Sequence, residues 1–420
     1  MTPSEHTRRR VVITGLGVVT PVSSEIDGFW DALLAGRSGV SKITLFDASA
    51  LPCQIAGEIS DFDPSEFIPT KQARRISRSS QLALVSSIKA VDDAQLPSPL
   101  LVPERMGVYF GTAIGGIERA LDATLLYNQM GLSKVSPFAL PSAIPNMPTF
   151  HVTQQIGTLG PSCTVCTACA SGTQSVGEAS LAIRDGRADV ILAGGVESMI
   201  QEYAIAGFCA MRALPINFNH DPQHASRPFD AKREGFIFAE GSACMVLESL
   251  EHARARKAHI YAEVSGFASS NDGYHIAAPD PTAVGAIRTM AWALADAGIE
   301  PEQVDYINAH GTSTPANDVV ETLAIKKLFG DRAFEIPISS TKSMLGHAMG
   351  ASGAIEAVVC ALTIKHGIIH PTINYEHPDP ECDLDYVTSG PRESNPKVVL
   401  SNSFGLGGQN ACLVLKKLED

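Results

Sequence analysis

No stretch of this 420-residue chain approaches 18 uninterrupted apolar residues, so no membrane-spanning helix is expected. Positive charge is in short supply. The 45 Asp and Glu outnumber the 32 Lys and Arg, and a net charge of −13 argues against broad nucleic-acid binding and against anionic membrane surfaces. No Pro/Ser linker or low-complexity tract divides the chain. The nine cysteines (Cys53, Cys163, Cys166, Cys169, Cys209, Cys244, Cys360, Cys382 and Cys412) are odd in number and scattered. That suits reduced thiols in a cytoplasmic protein and not a disulfide framework. Charged residues make up only 18%, which excludes a disordered or coiled-coil chain, and the 45% hydrophobic content is enough for a large core.

At the start, Arg8, Arg9 and Arg10 precede "VVITGLGVV", a short imitation of a signal peptide. Two glycines interrupt its apolar run and no small-residue cleavage site comes after it. Residues 1–9 therefore read as a flexible arm leading into a strand.

The rest of the chain alternates. Short β-branched runs ("RVVITGLG", "RMGVYFGT", "DVILAGG", "ACMVLES", "YAEVSGF", "VDYINAH", "VVLSNSF", "ACLVLKK") exchange with Ala-rich helical stretches, an α/β pattern with helices covering sheets. An internal repeat runs through it. "ASG" at 170–172 recurs at 351–353, and the same offset of 181 pairs Leu181 with Leu362, Ile183 with Ile364 and Gly186 with Gly367. Each copy is a small-residue turn, about four turns of helix and a glycine stop. Val176, Ala179 and Ile183 form an apolar stripe in the first helix, and Ile355, Val358, Val359 and Leu362 in the second. A second echo pairs "ACMVLESLE" at 243–251 with "ACLVLKKLE" at 411–419. Two echoes in one order predict two related α/β halves, residues 10–255 and 256–420, with a site at their junction.

"CTVCTACASG" at 163–172 carries three cysteines three residues apart. A ferredoxin run wants a further C-x3-C-P, and a zinc site wants a fourth Cys or His at ligand spacing; neither is present. Cys163 and Cys166 lie on an extended approach, where a small apolar residue is read first as packing. Cys169 stands where a helix begins, and the positive end of a helix dipole lowers a thiol's pKa. That makes Cys169 a candidate nucleophile at neutral pH. His310, in "NAHGTST", sits where a strand gives way to a loop; a lone histidine is more often structural. Lys342 and His347, in "SSTKSMLGHAMGASGA", precede the second repeat's helix, so their loop is the symmetry mate of the Cys169 loop. Packing the halves could join a thiol, two imidazoles and a lysine. The glycines of "NSFGLGGQN" lack the Lys and Ser/Thr of a phosphate loop, and Thr20 replaces the last glycine of a dinucleotide fingerprint; close backbone approach to a ligand is the better reading. Lys71, Arg74, Arg75 and Arg78 are spaced for one helical face, either a solvated surface or a dock for an acidic partner.

"TACASG", "NAHGTSTP", "STKSMLGHAMGASGA" and "NSFGLGG", in this order and at these separations, resemble the elongating β-ketoacyl–acyl carrier protein synthases of synthase II type. The resemblance spans nearly the whole chain. It implies the thiolase-like fold, two duplicated α/β halves in a five-layered αβαβα arrangement. It implies that Cys169 accepts an acyl chain as a thioester, and that His310 and His347 hold the malonyl thioester oxygen during decarboxylation, where N–H donors must already face the developing enolate. Backbone N–H groups of Cys169 and Phe404 match the oxyanion hole. Lys342 matches the lysine that supports the histidines, and Glu321 its acidic neighbour. Thr312 and Thr314 match pantetheine contacts; Phe404, Ile114 and Phe208 match residues at the acyl pocket. Lys71, Arg74, Arg75, Lys134 and Arg212 match positions that dock the carrier protein. No metal or resident cofactor is implied, since phosphopantetheine arrives on acyl carrier protein. Members are homodimers, or heterodimers with a chain-length-factor homologue in polyketide systems. Leu406, Ala277 and Ala204 depart from common family residues (Phe, Thr and Gly), which bears on chain length and substrate. The reaction implied is a decarboxylating Claisen condensation in fatty acid elongation; the alternative is the ketosynthase subunit of a type II polyketide system.

Overall fold

The computed structural model describes residues 8–419. Residues 1–7 of the expected arm lie outside the described residues. Arg8 and Arg9, assigned to that arm, are tied by ion pairs to Asp296 and Asp189, each at 2.8 Å.

Ten strands form the main sheet. They are β1 (Val11–Val19), β2 (Met106–Gly111), β3 (Ser162–Val165), β4 (Val190–Glu197), β5 (Gly241–Ser249), β6 (Ala262–Asn271), β7 (Tyr306–Asn308), β8 (Ile338–Ser339), β9 (Val398–Gly405) and β10 (Gln409–Lys416). All eight β-branched runs become strands; β3 and β8, too short and polar to stand out, complete the set. The spatial order is β8-β7-β9-β10-β6-β1-β5-β4-β2-β3. Read outward from the centre, β1-β5-β4-β2-β3 and β6-β10-β9-β7-β8 are the same order, shifted by five strands. The duplication seen in the sequence is thus a duplication of topology. The two sets meet only at β1 and β6, through Val12 with Glu263 and Ile13 with Ala262.

Six helices matter for the site: α1 (Arg78–Asp93), α2 (Met147–Ile156), α3 (Ser171–Arg184), α4 (Val284–Ala297), α5 (Pro315–Phe329) and α6 (Ser352–His366). The repeat pair α3 and α6 contacts strands of both sets, α1 and α2 cover the first set, and α4 covers the second, with α5 packed against α4 in the same core cluster. The result is five layers. The central layer explains a departure from the expected stripes. α6 is buried from Ser352 to Ile364, and α3 buries Ser171, Thr173, Ser175 and Ser180 as well as its apolar stripe. A helix between the two sets of strands has no solvent face, so its sequence need not be amphipathic. The two helices cross at repeat-related glycines. A Cβ on Gly172 would lie 2.6 Å from the Ala354 nitrogen, and one on Gly353 would lie 2.6 Å from the Thr173 nitrogen.

The expected four-charge helical face does not form. The helix Thr70–Ala73 is one turn long, and Ser77 caps a new helix, α1, through the Ser80 N–H. Arg78 opens α1 and turns inward to pair with the buried Glu240 at 2.7 Å.

Candidate active site

The chain reverses between β3 and α3 through a short 3-10 turn, Ala168–Ala170. Ala168 takes φ +50°, a left-handed conformation that costs a residue with a side chain energy. The repeat partner of this elbow is the turn Met349–Ala351 before α6, and Met349 takes φ +42°. Both copies therefore keep the same bend, with Cys169 at the apex of the first and Gly350 at the apex of the second.

The bend buries Cys169, which is 5% exposed. Burial pushes its thiol up to about 11, only partly offset by the Leu406 backbone N–H and the Lys342 charge. Burial thus opposes the thiolate that the start of a helix favours. Its neighbours differ. Cys163 is half-buried, and Cys166 is exposed with its Sγ 3.2 Å from the Ala113 carbonyl, so Cys166 is not a core residue.

His310 and His347 come from the other half. His310 follows β7, and its ring meets that of His347 edge-on at 5.4 Å between centroids. Cys169, His310 and His347 place one ligating atom each within 4.8 Å of one another. Both imidazoles are held well below the usual histidine pKa, first by burial and then by the Lys342 charge, so both are neutral at pH 7. His347 Nδ1 lies 2.9 Å from Ser352 Oγ; its Nε2 is buried without a partner, as is His310 Nδ1. When the Ser352 hydroxyl donates to Nδ1, Nε2 carries the hydrogen and becomes a donor.

Lys342 is buried and ion-paired with Glu356 on α6. Glu321, matched to the acidic neighbour of this lysine, is within reach of the Lys342 charge but does not pair with it. Glu321, from α5, instead accepts the backbone N–H groups of His310 and Gly311, each at 2.8 Å, and so sets the histidine loop. Burial raises both carboxyls to about 7; the Lys342 charge opposes that rise at both sites, so Glu321 senses Lys342 without bonding it.

Cys169, His310 and His347 line a cavity of about 360 Å³. Thr312 and Thr314 line it with hydroxyls 2.9 Å apart, and Thr314 also caps α5 by accepting from the Asn317 N–H at 3.3 Å. Phe404 and Leu406 form one wall, with the Phe404 ring 5.8 Å from that of His310. Ala277 and Arg212 also line the cavity. Phe208 lines it and packs edge-on against Phe236 at 5.2 Å. Ile114 joins the apolar cluster that contains Cys169 and Ala204. The glycine-rich turn does press close to other backbone: Asp272 N–H donates to the Gly408 carbonyl at 2.8 Å, and Asn410 Nδ2 donates to Asp272 Oδ1 at 2.6 Å. Lys71, Arg74, Arg75, Lys134 and Arg212 are all exposed. Arg75 stands over the Phe138 ring at 5.0 Å.

A buried thiol beside two neutral imidazoles suits acyl transfer, and known proteins carry the same arrangement of sequence. The family model for the beta-ketoacyl synthase N-terminal domain matches residues 8–253, and that for its C-terminal domain matches residues 261–376. The chain belongs to the beta-ketoacyl synthase family. It is 47% identical to a 3-oxoacyl-[acyl-carrier-protein] synthase 2 of Synechocystis sp., over 98% of this chain and 99% of that one. It is 48% identical to the protein of the same name from Coxiella burnetii, over 98% and 100%. Among solved structures, a beta-ketoacyl synthase from Burkholderia phymatum superposes with a TM-score of 0.91 at 36% identity, covering 98% of this chain and all of that one. A type II polyketide acyl-carrier protein in complex with its ketosynthase gives the same values.

Three groups of this synthase's site are not apparent from the sequence motifs. Glu356 has a visible signal, the one acid in the apolar run "SGAIEAVVCALTI". Ser352 lies in the repeat, but nothing in its spacing marks it as a histidine partner. Glu197, at the end of β4, accepts from the Ala113 N–H at 2.6 Å and the Gly350 N–H at 3.2 Å; only the fold reveals these contacts.

Proposed function

We propose that this synthase condenses an acyl chain, held on Cys169, with malonyl-acyl carrier protein to give 3-oxoacyl-acyl carrier protein in fatty acid elongation. The observation that carries the reading is the convergence of Cys169, His310 and His347 from two halves of the chain, within 4.8 Å, on one cavity. The Cys169 sulfur attacks the acyl thioester, and its proton leaves with the departing pantetheine thiol. Neutral His310 and His347 are in reach to relay it. Malonyl thioester then binds with its carbonyl oxygen at the histidines. The bond to the carboxylate breaks, CO2 departs, and the electron pair forms an enolate that the N–H donors stabilise. The enolate carbon attacks the Cys169 thioester, whose oxyanion faces the N–H groups of Cys169 and Phe404. The sulfur leaves and is reprotonated. Burial, reinforced by the charge of Lys342 that Glu356 fixes in place, keeps the imidazoles neutral throughout.

The partner that delivers both substrates is acyl carrier protein, docked by Lys71, Arg74, Arg75, Lys134 and Arg212. Support comes from their exposure on a chain of net charge −13, where local positive charge is scarce. We place the enzyme in the cytoplasm as a homodimer. No helix of the described residues is long and apolar enough to cross a membrane.

The test is to supply malonyl-acyl carrier protein with acyl donors of graded length and oxidation state. Mass spectrometry should find the acyl group on the peptide containing Cys169 and a 3-oxo product from saturated donors. Acylation of Cys163 or Cys166 would overturn the assignment. The polyketide reading has support in the 36% identical polyketide structures, against 46–48% for the curated synthase 2 relatives. Turnover of poly-keto donors only, with a chain-length-factor partner required, would favour it.

A further inference from the structure

We propose that Glu197 is a positioning residue that couples the acyl pocket to the histidine loop; this rests on the roles given above to Cys169, Ile114 and His347. The two elbows of the repeat place Cys169 and Gly350 at equivalent points, 181 residues apart, with the same left-handed bend one residue before. At the first elbow the backbone N–H of the apex residue is reserved for a substrate oxyanion. At the second, the apex N–H of Gly350 is already taken, donating to Glu197 Oε2 at 3.2 Å. The same oxygen accepts from Ala113 at 2.6 Å, and Oε1 accepts from the Thr112 hydroxyl at 3.2 Å. A protein carboxyl oxygen thus occupies, at the second elbow, the place that a reacting oxyanion takes at the first.

Its two sets of donors belong to different working parts. Thr112 and Ala113 lead directly into Ile114, which shares an apolar cluster with Cys169 and Met349. Gly350 is three residues after His347. The loops touch: a Cβ on Gly350 would lie 2.4 Å from the Ala113 nitrogen and 2.8 Å from Glu197 Oε2. Glu197 itself is fully buried at the end of β4, a strand paired on both sides. A displacement of the Ile114 loop by an incoming acyl chain therefore reaches the His347 loop through a fixed carboxyl group shared by both.

The experiment measures CO2 release from malonyl-acyl carrier protein by free enzyme and by enzyme pre-acylated on Cys169. In the unaltered enzyme the two rates should differ by about fivefold or more. Glu197→Gln keeps the shape but loses one acceptor. It should bring the two rates together while Cys169 acylation falls less. A purely structural role would instead lower both half-reactions alongside the melting temperature. Thr112→Val removes the Oε1 contact, together with the bond the same hydroxyl accepts from the Gly115 N–H, and leaves Oε2 bonded. It should give an intermediate ratio and serves where Glu197→Gln does not fold. Equal rates in the unaltered enzyme, or an unchanged ratio in the variants, would overturn the proposal. Failure of Cys169 to acylate at all would instead sink the assigned reaction.

Discussion

At the scale of single residues, burial and the start of a helix pull the Cys169 thiol in opposite directions. Cys169 sits at a helix start, yet desolvation holds it at about 11, so its thiolate fraction is small at neutral pH. Iodoacetamide should alkylate Cys169 at a rate that climbs about tenfold per pH unit from pH 7 to 9, since only the thiolate reacts. A plateau near pH 7.5 would show that a bound proton acceptor or the dipole prevails. Lys342 presents the converse case. It and Glu356 are each about 2% exposed and satisfy one another, while Glu356 Oε2 has no further partner. Lys342→Ala leaves Glu356 buried without its partner and should cost about 3–5 kcal/mol in denaturant unfolding. Adding Glu356→Gln should recover part of that loss; a double variant as unstable as the summed singles would mean the pair is not coupled.

At the scale of elements, the duplicated loop–helix unit is what the amino-acid order made legible. "ASG" and its offset of 181 predicted two matched helices, and the eight β-branched runs predicted eight of the ten strands. The left-handed bend in each elbow, the crossing of α3 on α6 and the Lys342–Glu356 pair were not legible. Each depends on a contact between segments far apart in sequence, which no local period encodes. The Lys71–Arg78 spacing misled for a related reason. Ser77 caps a new helix there, and Glu240, 162 residues away from Arg78, draws its side chain inward. The helix crossing yields a prediction. Gly353→Ala puts a methyl 2.0 Å from Thr173 Oγ1 and 2.6 Å from its backbone nitrogen. Overpacking of this kind costs about 1–3 kcal/mol, and it should slow acyl transfer too, because α3 carries the Cys169 elbow. Gly207→Ala is the control. Nothing lies within 4 Å of its new methyl, and an Ala in a helix is favoured by about 0.5–1 kcal/mol, so that variant should be neutral or stabilised. Equal melting temperatures for the two variants would contradict the close crossing.

The whole molecule has two unlike surfaces to account for. The basic side chains around Arg74 and Arg75 should matter only to carrier-bound substrates. Charge reversal of both, to Glu, should raise the apparent KM for acyl carrier thioesters several-fold. It should leave small thioester mimics unaffected, and the difference should shrink with added salt. An equal effect on both substrates would remove the docking role. The second surface is apolar. Half of the exposed large apolar side chains of the described residues fall between Leu121 and Leu159, including Leu125, Tyr127, Leu132 and Leu140 at 56–76% exposure. The same region runs into β3, which pairs on one side only, with β2, and leaves its other edge open. An open strand edge beside a large apolar face invites association, and a twofold pairing of β3 with a second β3 would satisfy both at once. The chain should therefore sediment at twice its 44.5 kDa mass. Leu125→Asp with Leu132→Asp places two charges on that face without touching the cavity residues and should give a folded monomer. A pair of charged substitutions on the α4 and α5 side, Trp292→Asp with Phe334→Asp, should leave the dimer intact, although both of those residues are also exposed. If the second pair dissociates the assembly and the first does not, the interface lies on the α4 and α5 side and the open edge of β3 has another partner.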